Sequence, residues 1–226
     1  MKKAIILLSG GLDSSVLLWF ARSQGYELHA LSFDYGQRHI KELKAAEKLA
    51  KLAEVKSHQI VTIKLDAWGG SSLTDKSLEI EDGNIERNDI PNTYVPARNM
   101  IFLSVAASFA EAIGAYDIFI GVSQVDYSGY ADCRREFIDT MQNAINKGTV
   151  TGAEKNQPIT VHTPFIDKTK ADEILLATKL GVPLEHTWSC YKGDEKPCGI
   201  CDSCLLRAKA FDQLIMKNGA QMTQKF

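Results

Sequence analysis

Serine, glycine and aspartate occur together in one short stretch near the start of the chain, Ser9-Gly10-Gly11-Leu12-Asp13-Ser14. The stretch follows a short apolar run and precedes a pattern typical of a helix. Two glycines let the backbone turn sharply and approach an anion closely, and the first N–H groups of the following helix are available to bind that anion. The stretch matches neither a Walker A motif nor G-x-G-x-x-G. The residues alone leave open a phosphate-binding loop or a tight turn in which Ser or Asp caps the helix.

Cysteine is the second residue type whose spacing indicates chemistry. Four of the five cysteines stand near the end of the chain, at Cys190, Cys198, Cys201 and Cys204. Thiolates separated by two residues can converge on one metal ion. The wide first gap and the missing Cys-x3-Cys-Pro ending favour a structural zinc site, and an iron–sulfur cluster is the alternative. The fifth cysteine, Cys133, is expected to be a small buried thiol.

The elements that must position these residues alternate along the chain. Apolar runs and alternating patterns predict strands, and apolar stripes at helical spacing predict helices. The predicted strands are 2–8, 28–35, 59–65, 117–122 and 159–165. The predicted helices are 13–24, 39–54, 99–113, 134–146, 170–180 and 202–217. This order predicts an α/β fold with a Rossmann-like, doubly wound parallel sheet of about five strands and helices on both faces.

The chain is expected to reverse direction within this sheet. We expect the first three strands to extend it one way and the later strands the other, which leaves a ligand-binding crevice at the carboxyl ends of the first and fourth strands. The polar stretch 67–92 is too long for an ordinary connection and predicts a lid or a mobile binding segment over that crevice.

Composition excludes several classes of protein. The 226 residues carry 26 Lys and Arg against 28 Asp and Glu, whereas a nonspecific nucleic-acid binder is strongly basic. The apolar run after Lys2 and Lys3 is too short for a signal peptide, and the most apolar window, 100–110, is about half the ~20 residues that span a membrane. We therefore expect a cytoplasmic protein that binds neither nucleic acid nor membrane.

The six-residue loop resembles the SGGxDS loop of the ATP-pyrophosphatase (PP-loop) superfamily. Further segments together resemble the 7-cyano-7-deazaguanine synthases of queuosine biosynthesis, and the resemblance covers essentially the whole chain. Those segments are 33–39 (FDYGQRH), 95–99 (VPARN), 125–134 (VDYSGYADCR) and the four-cysteine tail. The resemblance implies an adenine nucleotide α-hydrolase-like domain, 1–187, with a small zinc-binding helical segment, 188–226, packed on it.

The resemblance also implies an activity. Such an enzyme is an ATP-dependent carbon–nitrogen ligase that converts 7-carboxy-7-deazaguanine and ammonia into the nitrile preQ0. The carboxylate is adenylated, ammonia displaces AMP, and the resulting amide is activated by a second ATP before it loses water. The implied partners are small molecules only, and family members are typically homodimers.

Individual roles follow from the same resemblance. ATP is expected to bind along the segment Leu8, Ser9, Gly10, Gly11, Leu12, Asp13, Ser14, Ser15, Val16, Leu17 and Leu18. The expected catalytic residues are Asp13, which helps to hold Mg²⁺, Ser14, Arg98 and Lys170, and the expected substrate-binding residues are Asp126, Tyr127 and Asp132. For Lys170 and Arg98 the alternative is a solvated surface residue, and for 126–132 it is a plain polar loop.

Two other functions compete with this one. Another adenylating enzyme of the superfamily, such as a tRNA thiolase, would share the loop but usually needs a basic RNA-binding extension. A noncatalytic nucleotide- or zinc-binding regulator would leave Asp13, Arg98 and Lys170 without a purpose. Formation of AMP with a carboxylated base distinguishes the enzymes from the regulator.

Overall fold

Five parallel strands form the centre of the molecule. The computed structural model describes residues 1–38, 40–86, 89–123, 130–192 and 195–223, and side chains as far as residue 215. The strands are β1 (Lys3–Leu7), β2 (Glu27–Asp34), β3 (Ser57–Thr62), β4 (Asp117–Phe119) and β5 (Thr160–His162). Their order across the sheet is β3-β2-β1-β4-β5, and every neighbouring pair is parallel. The expected α/β fold and the reversal between β1 and β4 are confirmed.

Helices connect the strands. They are α1 (Leu12–Ser23), α2 (Lys41–Leu52), α3 (Arg98–Ile113), α4 (Arg135–Gly148), α5 (Val150–Ala153), α6 (Lys170–Leu180) and α7 (Asp202–Thr223). The short α5 was not predicted. The fourth strand ends at Phe119, the last residue that pairs with both β1 and β5, although its apolar run continues to Val122. In the described part of the chain no helix is long and apolar enough to cross a membrane.

Alternating side chains of β1 divide the core into two layers. Ile5 and Leu7 pack with α3 and α4 on one face of the sheet. Ala4 and Ile6 pack with α1, α2, α6 and α7 on the other. Because β1 is the central strand, its side chains are buried on both faces, which explains its continuous apolar sequence. The division into residues 1–187 and 188–226 stays a prediction, and Ala210 of α7 is part of the second layer.

The loop between β1 and α1 lies directly against the first turn of α2. Gly10 has φ +88°, and a Cβ at this position would lie 2.2 Å from the carbonyl oxygen of Glu42 and 2.7 Å from the amide nitrogen of Ala46. On the opposite side, the N–H of Trp188 donates to the carbonyl oxygen of Gly10 at 2.9 Å. The loop is thus held between two other parts of the backbone, and only glycine leaves room for the contact.

Segment 67–92 is packed against the body of the protein. Ser71, Ser72 and Leu73 are buried, and the N–H of Arg38 donates to the carbonyl oxygen of Leu73 at 3.1 Å. Farther along, the N–H of Asn84 donates to the Asp202 carboxylate at 2.8 Å. Buried side chains and backbone hydrogen bonds therefore hold these residues against the body of the protein, and the expectation of a lid or a mobile binding segment stays a prediction.

We expect Gly10→Ala to destabilise the protein much more than Gly25→Ala. Both glycines have positive φ, but a Cβ at Gly25 meets nothing within 4 Å. The Gly25 variant should lose about 1 kcal/mol from the left-handed conformation alone. The Gly10 variant should lose about 3 kcal/mol, because backbone atoms of α2 must also move. Urea denaturation of both variants measures the difference, and equal losses would contradict the close packing of α2 on the loop.

Candidate active site

A cavity of about 280 Å³ opens at the carboxyl ends of β1 and β4, where the sheet order predicts a ligand site. The loop after β1 forms one wall, and the starts of α3 and α6 form others. Residues from the C-terminal part of the chain complete it, among them Tyr191, Asp202 and Arg207. Sequence reasoning did not place this last group in the site, because nothing local indicates which surface the C-terminal helix covers.

The hydroxyl groups of Ser9 and Ser14 meet at the mouth of the loop. Their oxygens lie 3.0 Å apart, and the N–H of Ser9 donates to the Ser14 hydroxyl at 3.2 Å. The N–H of Gly11 donates to the Ser9 hydroxyl at 3.2 Å. Together with Leu8, Gly11, Leu12 and Asp13, both serines line the cavity. The backbone N–H groups of Ser9 and Gly11 thus position two hydroxyls side by side at the cavity surface, next to the start of a helix, where phosphate groups commonly bind.

Other members of the predicted nucleotide segment lie behind this surface. Ser15 is fully buried and donates to the carbonyl oxygen of Gly11 at 2.6 Å, so its hydroxyl braces the loop from within. Val16, Leu17 and Leu18 are also fully buried, in the core layer under α1. Their side chains contribute to the position of the loop rather than to the cavity surface.

Lys170 reaches the loop from the start of α6. Thr169 caps this helix with a reciprocal capping box to Asp172, which fixes Lys170 as the first helical residue. The Lys170 ammonium lies 2.5 Å from both carboxylate oxygens of Asp13. The structure thus brings together two residues that are distant in sequence and expected to be catalytic. The pair places the Lys170 ammonium beside the loop that follows β1.

Arg98 supplies a second cation, at the start of α3. The preceding Ala97 has φ 54° and ψ 23°, a left-handed conformation that costs a non-glycine residue about 1–2 kcal/mol. The guanidinium lies 5.9 Å from the ring centroid of Tyr35. Burial lowers the pKa of Arg98, but the phenols of Tyr35 and Tyr130 outweigh this and raise it above its ordinary value. Arg98 therefore remains a cation inside the cavity wall.

The predicted substrate-binding residues have different positions. Asp126 and Tyr127 lie outside the described residues. Asp132 is buried, and its carboxylate accepts a hydrogen bond from the N–H of Asn99 at 2.9 Å, next to Arg98. Cys133 beside it does line the cavity, and burial raises the pKa of its thiol to about 12. Cys133 is thus a protonated thiol, consistent with the expectation that it is not a nucleophile.

Glu42 is a cavity residue that sequence reasoning missed. It lies in the first turn of α2 and lines the same cavity as Arg98. Burial raises the pKa of this carboxyl to about 7, although the positive charge of Arg98 lowers it in part. A signal was present, because Glu42 precedes Ala46, Leu49 and Ala53 at helical spacing. A carboxylate on the apolar stripe of a helix indicates an unusual environment.

The four C-terminal cysteines converge on one point. Their sulfur atoms all lie within 4.8 Å of one another. The N–H of Cys198 donates to the Cys190 sulfur at 3.3 Å, and the N–H of Cys201 donates to the Cys198 sulfur at 3.4 Å. Such N–H donors stabilise thiolates, which are the metal-binding form of cysteine. The cluster can therefore bind one metal ion, as the spacing predicted.

A family model described as "Queuosine biosynthesis protein QueC" matches residues 3–215 of this chain. The chain belongs to the QueC family. A 7-cyano-7-deazaguanine synthase of Clostridium kluyveri is 59% identical over 94% of this chain and 94% of its own length. A 7-cyano-7-deazaguanine synthase of Thermoplasma acidophilum is 55% identical over 93% of this chain and 87% of its own length.

A solved structure also resembles this QueC family member. The structure of NMN synthetase from Francisella tularensis superposes with a TM-score of 0.54 at 16% identity, over 88% of this chain and 71% of that one. At this identity the likeness shows the fold alone.

Ionisation of Glu42 should make the stability of this QueC family member depend on pH. The folded-state pKa of about 7 lies above the ordinary value of 4.5, so the fold favours the protonated form. The contribution of Glu42 to the free energy of unfolding is therefore fully present at pH values below the ordinary pKa, and it is lost as pH rises through about 7. The full loss is at most about 3 kcal/mol, and water in the cavity reduces it.

Chemical denaturation of wild type and Glu42→Gln at several pH values between about 5 and 8 measures this dependence. We expect the neutral amide of the variant to abolish that part of the pH dependence. Glu136→Gln is the matched control, because Glu136 also lies in the first turn of a helix, α4, but is exposed. Parallel profiles for wild type and Glu42→Gln would contradict the raised pKa.

Proposed function

We propose that this protein converts 7-carboxy-7-deazaguanine, ammonia and ATP into 7-cyano-7-deazaguanine, the preQ0 of queuosine biosynthesis. The observation that carries the proposal is the similarity to synthases of that name, which extends over nearly the full length of both chains. The cavity supports the chemistry, because serine hydroxyls suited to phosphate and four cationic side chains line it, those of Arg38, Arg98, Lys170 and Arg207. No described feature favours an RNA-binding thiolase or a noncatalytic regulator over this enzyme.

In the first step, an oxygen of the substrate carboxylate attacks the α-phosphorus of ATP, and pyrophosphate leaves. Reactions of this kind are catalysed by positioning and by neutralisation of charge. We propose that Ser9, Ser14 and the N–H groups of the loop bind the β- and γ-phosphates. Lys170, which is within reach of the loop, neutralises the charge that develops on pyrophosphate.

Asp13 has a related proposed role. Its carboxylate oxygens are the type of ligand that Mg²⁺ prefers, and without ATP both contact Lys170. When the Lys170 ammonium moves to the phosphates, the Asp13 oxygens become available to the Mg²⁺ that accompanies ATP. In this proposal the two side chains pair with each other until Mg-ATP binds, when Lys170 contacts the phosphates and Asp13 contacts Mg²⁺.

In the later steps, ammonia attacks the acyl carbon, AMP leaves with the electron pair of the broken C–O bond, and nitrogen loses one proton to give the amide. The amide oxygen then attacks the α-phosphorus of a second ATP, and pyrophosphate leaves. Loss of AMP and of the two remaining N–H protons from that intermediate gives the nitrile. We propose that Arg98 positions the substrate carboxylate and that Tyr130, which also lines the cavity, packs against the deazaguanine. Asp126 and Tyr127 remain predicted contacts, as does Asp132, whose carboxylate is engaged with the start of α3.

We propose that the metal held by Cys190, Cys198, Cys201 and Cys204 is one structural Zn²⁺. Four thiolates bound to Zn²⁺ at about 2.3 Å lie roughly 3.8 Å from one another. The Cys198 and Cys204 sulfurs are 4.0 Å apart, close to that separation. An iron–sulfur cluster requires wider spacing, because its ligands surround several iron atoms. Zn²⁺ here would hold the start of α7 in place and would take no part in the reaction.

The proposed reaction predicts AMP and pyrophosphate as products, with the nitrile detected by mass spectrometry. Purified protein with 7-carboxy-7-deazaguanine, ammonium and Mg-ATP provides the test, and stoichiometric ADP and phosphate would contradict it. We expect Lys170→Met to reduce kcat by at least about 10²-fold, because a charge that neutralises the transition state is lost. Lys179→Met is the control, since Lys179 is exposed at the far end of the same helix.

The proposed zinc site predicts one zinc per chain by elemental analysis. Cys204→Ser should lose the metal and unfold at lower temperature, because a closed site contributes to folding. Cys133→Ser, which removes the one cysteine outside the cluster, should keep the full zinc content. A brown protein that contains iron would decide for the iron–sulfur cluster.

A homodimer in the cytoplasm is also proposed, and light scattering would measure the oligomeric state.

A further inference from the structure

Glu42 lines the cavity, its backbone lies against Gly10 of the loop, and its carboxylate interacts electrostatically with Arg98. The backbone of the same helical turn contacts Gly10, so the position of Glu42 relative to the loop is fixed. Glu42 lines the cavity together with Asp13, Arg98 and Tyr35. Burial raises the pKa of Glu42, and the positive charge of Arg98 from α3 lowers it. The charge of Glu42 in turn raises the pKa of Tyr35, which directly follows β2.

The proposed reaction requires a proton acceptor near the reacting nitrogen. Nitrogen enters as ammonium, which carries four protons, and ends as a nitrile, which carries none. One proton leaves before ammonia can attack, and one leaves after the new C–N bond forms. The remaining two leave while the amide is converted into the nitrile. Each departure returns an electron pair to nitrogen and needs a base at hand.

Few of the described residues around the cavity can accept a proton near neutral pH. The described lining carboxylates are Asp13, Glu42 and Asp202, and no described histidine lines the cavity. Asp13 contacts Lys170 through both oxygens, and Asp202 accepts a hydrogen bond from Asn84. Cys133 and Tyr130 have raised pKa values, because burial disfavours their anions. Glu42 is the remaining carboxylate.

We propose that Glu42 is a catalytic base that accepts protons from the reacting nitrogen, a role that rests on the proposed function. In its first use, an N–H bond of ammonium breaks, an O–H bond forms on Glu42, and the electron pair stays on nitrogen. The resulting ammonia attacks the acyl carbon, and AMP departs with the pair of the C–O bond. Glu42 then releases its proton to water in the cavity and is ready for the next transfer.

The electrostatics of the site suit this role. A base is most effective when its pKa lies near the working pH, and the pKa of Glu42 is raised to about 7 by burial. The charge of Arg98 offsets part of that effect, so the carboxylate is available as an anion at neutral pH. Arg98 can also hold the substrate carboxylate in front of Glu42.

The test compares two nitrogen nucleophiles with Glu42→Gln. At pH 7 ammonia exists mostly as ammonium and must lose a proton, whereas hydroxylamine is already neutral. Amide formation from ammonium should fall about 10²-fold or more in Glu42→Gln. Capture of the adenylated substrate by hydroxylamine should fall much less, because no proton has to leave that nitrogen before it attacks. Raising the pH should narrow the deficit with ammonia, because more of it is then unprotonated.

Two further variants complete the experiment. Glu42→Asp keeps a carboxylate and should retain part of the ammonia-dependent rate, whereas Glu47→Gln, on the exposed side of α2, should behave as wild type. An equal loss of rate with both nucleophiles would overturn the proposal in favour of a positioning role. No loss of rate with either nucleophile would overturn it outright. If wild-type protein formed neither amide nor hydroxamate, the proposed function itself would fail.

Discussion

The close contact between Gly10 and the first turn of α2 determines the geometry of the whole site. Because no side chain fits there, the loop lies directly on the helical backbone. The Ser9 and Ser14 hydroxyls are thereby directed into the cavity, and Glu42 is brought to its edge. The Ser32 hydroxyl supports the same loop from below, since it donates to the carbonyl oxygen of Leu8. The loop is therefore preorganised for a ligand instead of being shaped by one.

The charges of the cavity follow from this arrangement. Lys170 and Arg98 approach from opposite sides, one at the loop and one beside Tyr35. A phosphate at the loop and a carboxylate near Arg98 would each meet a separate cation, which is what an in-line attack of one on the other requires. The Asp13 carboxylate holds the Lys170 ammonium at the loop. The left-handed Ala97 indicates that the position of Arg98 is maintained at the expense of local stability.

Local patterns predicted the elements well and their partners less well. Five strands, the six longer helices and the convergence of four cysteines followed from periodicity and spacing, because these depend on residues that are close in sequence. The polar composition of segment 67–92 does not show that Leu73 is buried or that Asn84 binds Asp202. Glu42 was missed for the same reason. Its environment depends on Gly10 and Arg98, which are distant from it in sequence, so local patterns could not show that the three residues are neighbours.

The cysteine cluster and the cavity are parts of one structure rather than two separate sites. Cys201 precedes Asp202, which begins α7, lines the cavity and accepts the hydrogen bond from Asn84. Farther along α7, Arg207 also lines the cavity and donates to the Thr187 hydroxyl at 2.7 Å. A metal bound by the cysteines would therefore fix the start of α7, and through it both segment 67–92 and one wall of the cavity. The cysteines and most of the cavity residues are far apart in sequence, but α7 connects them, so the shape of the cavity depends on the structure of the cysteine cluster.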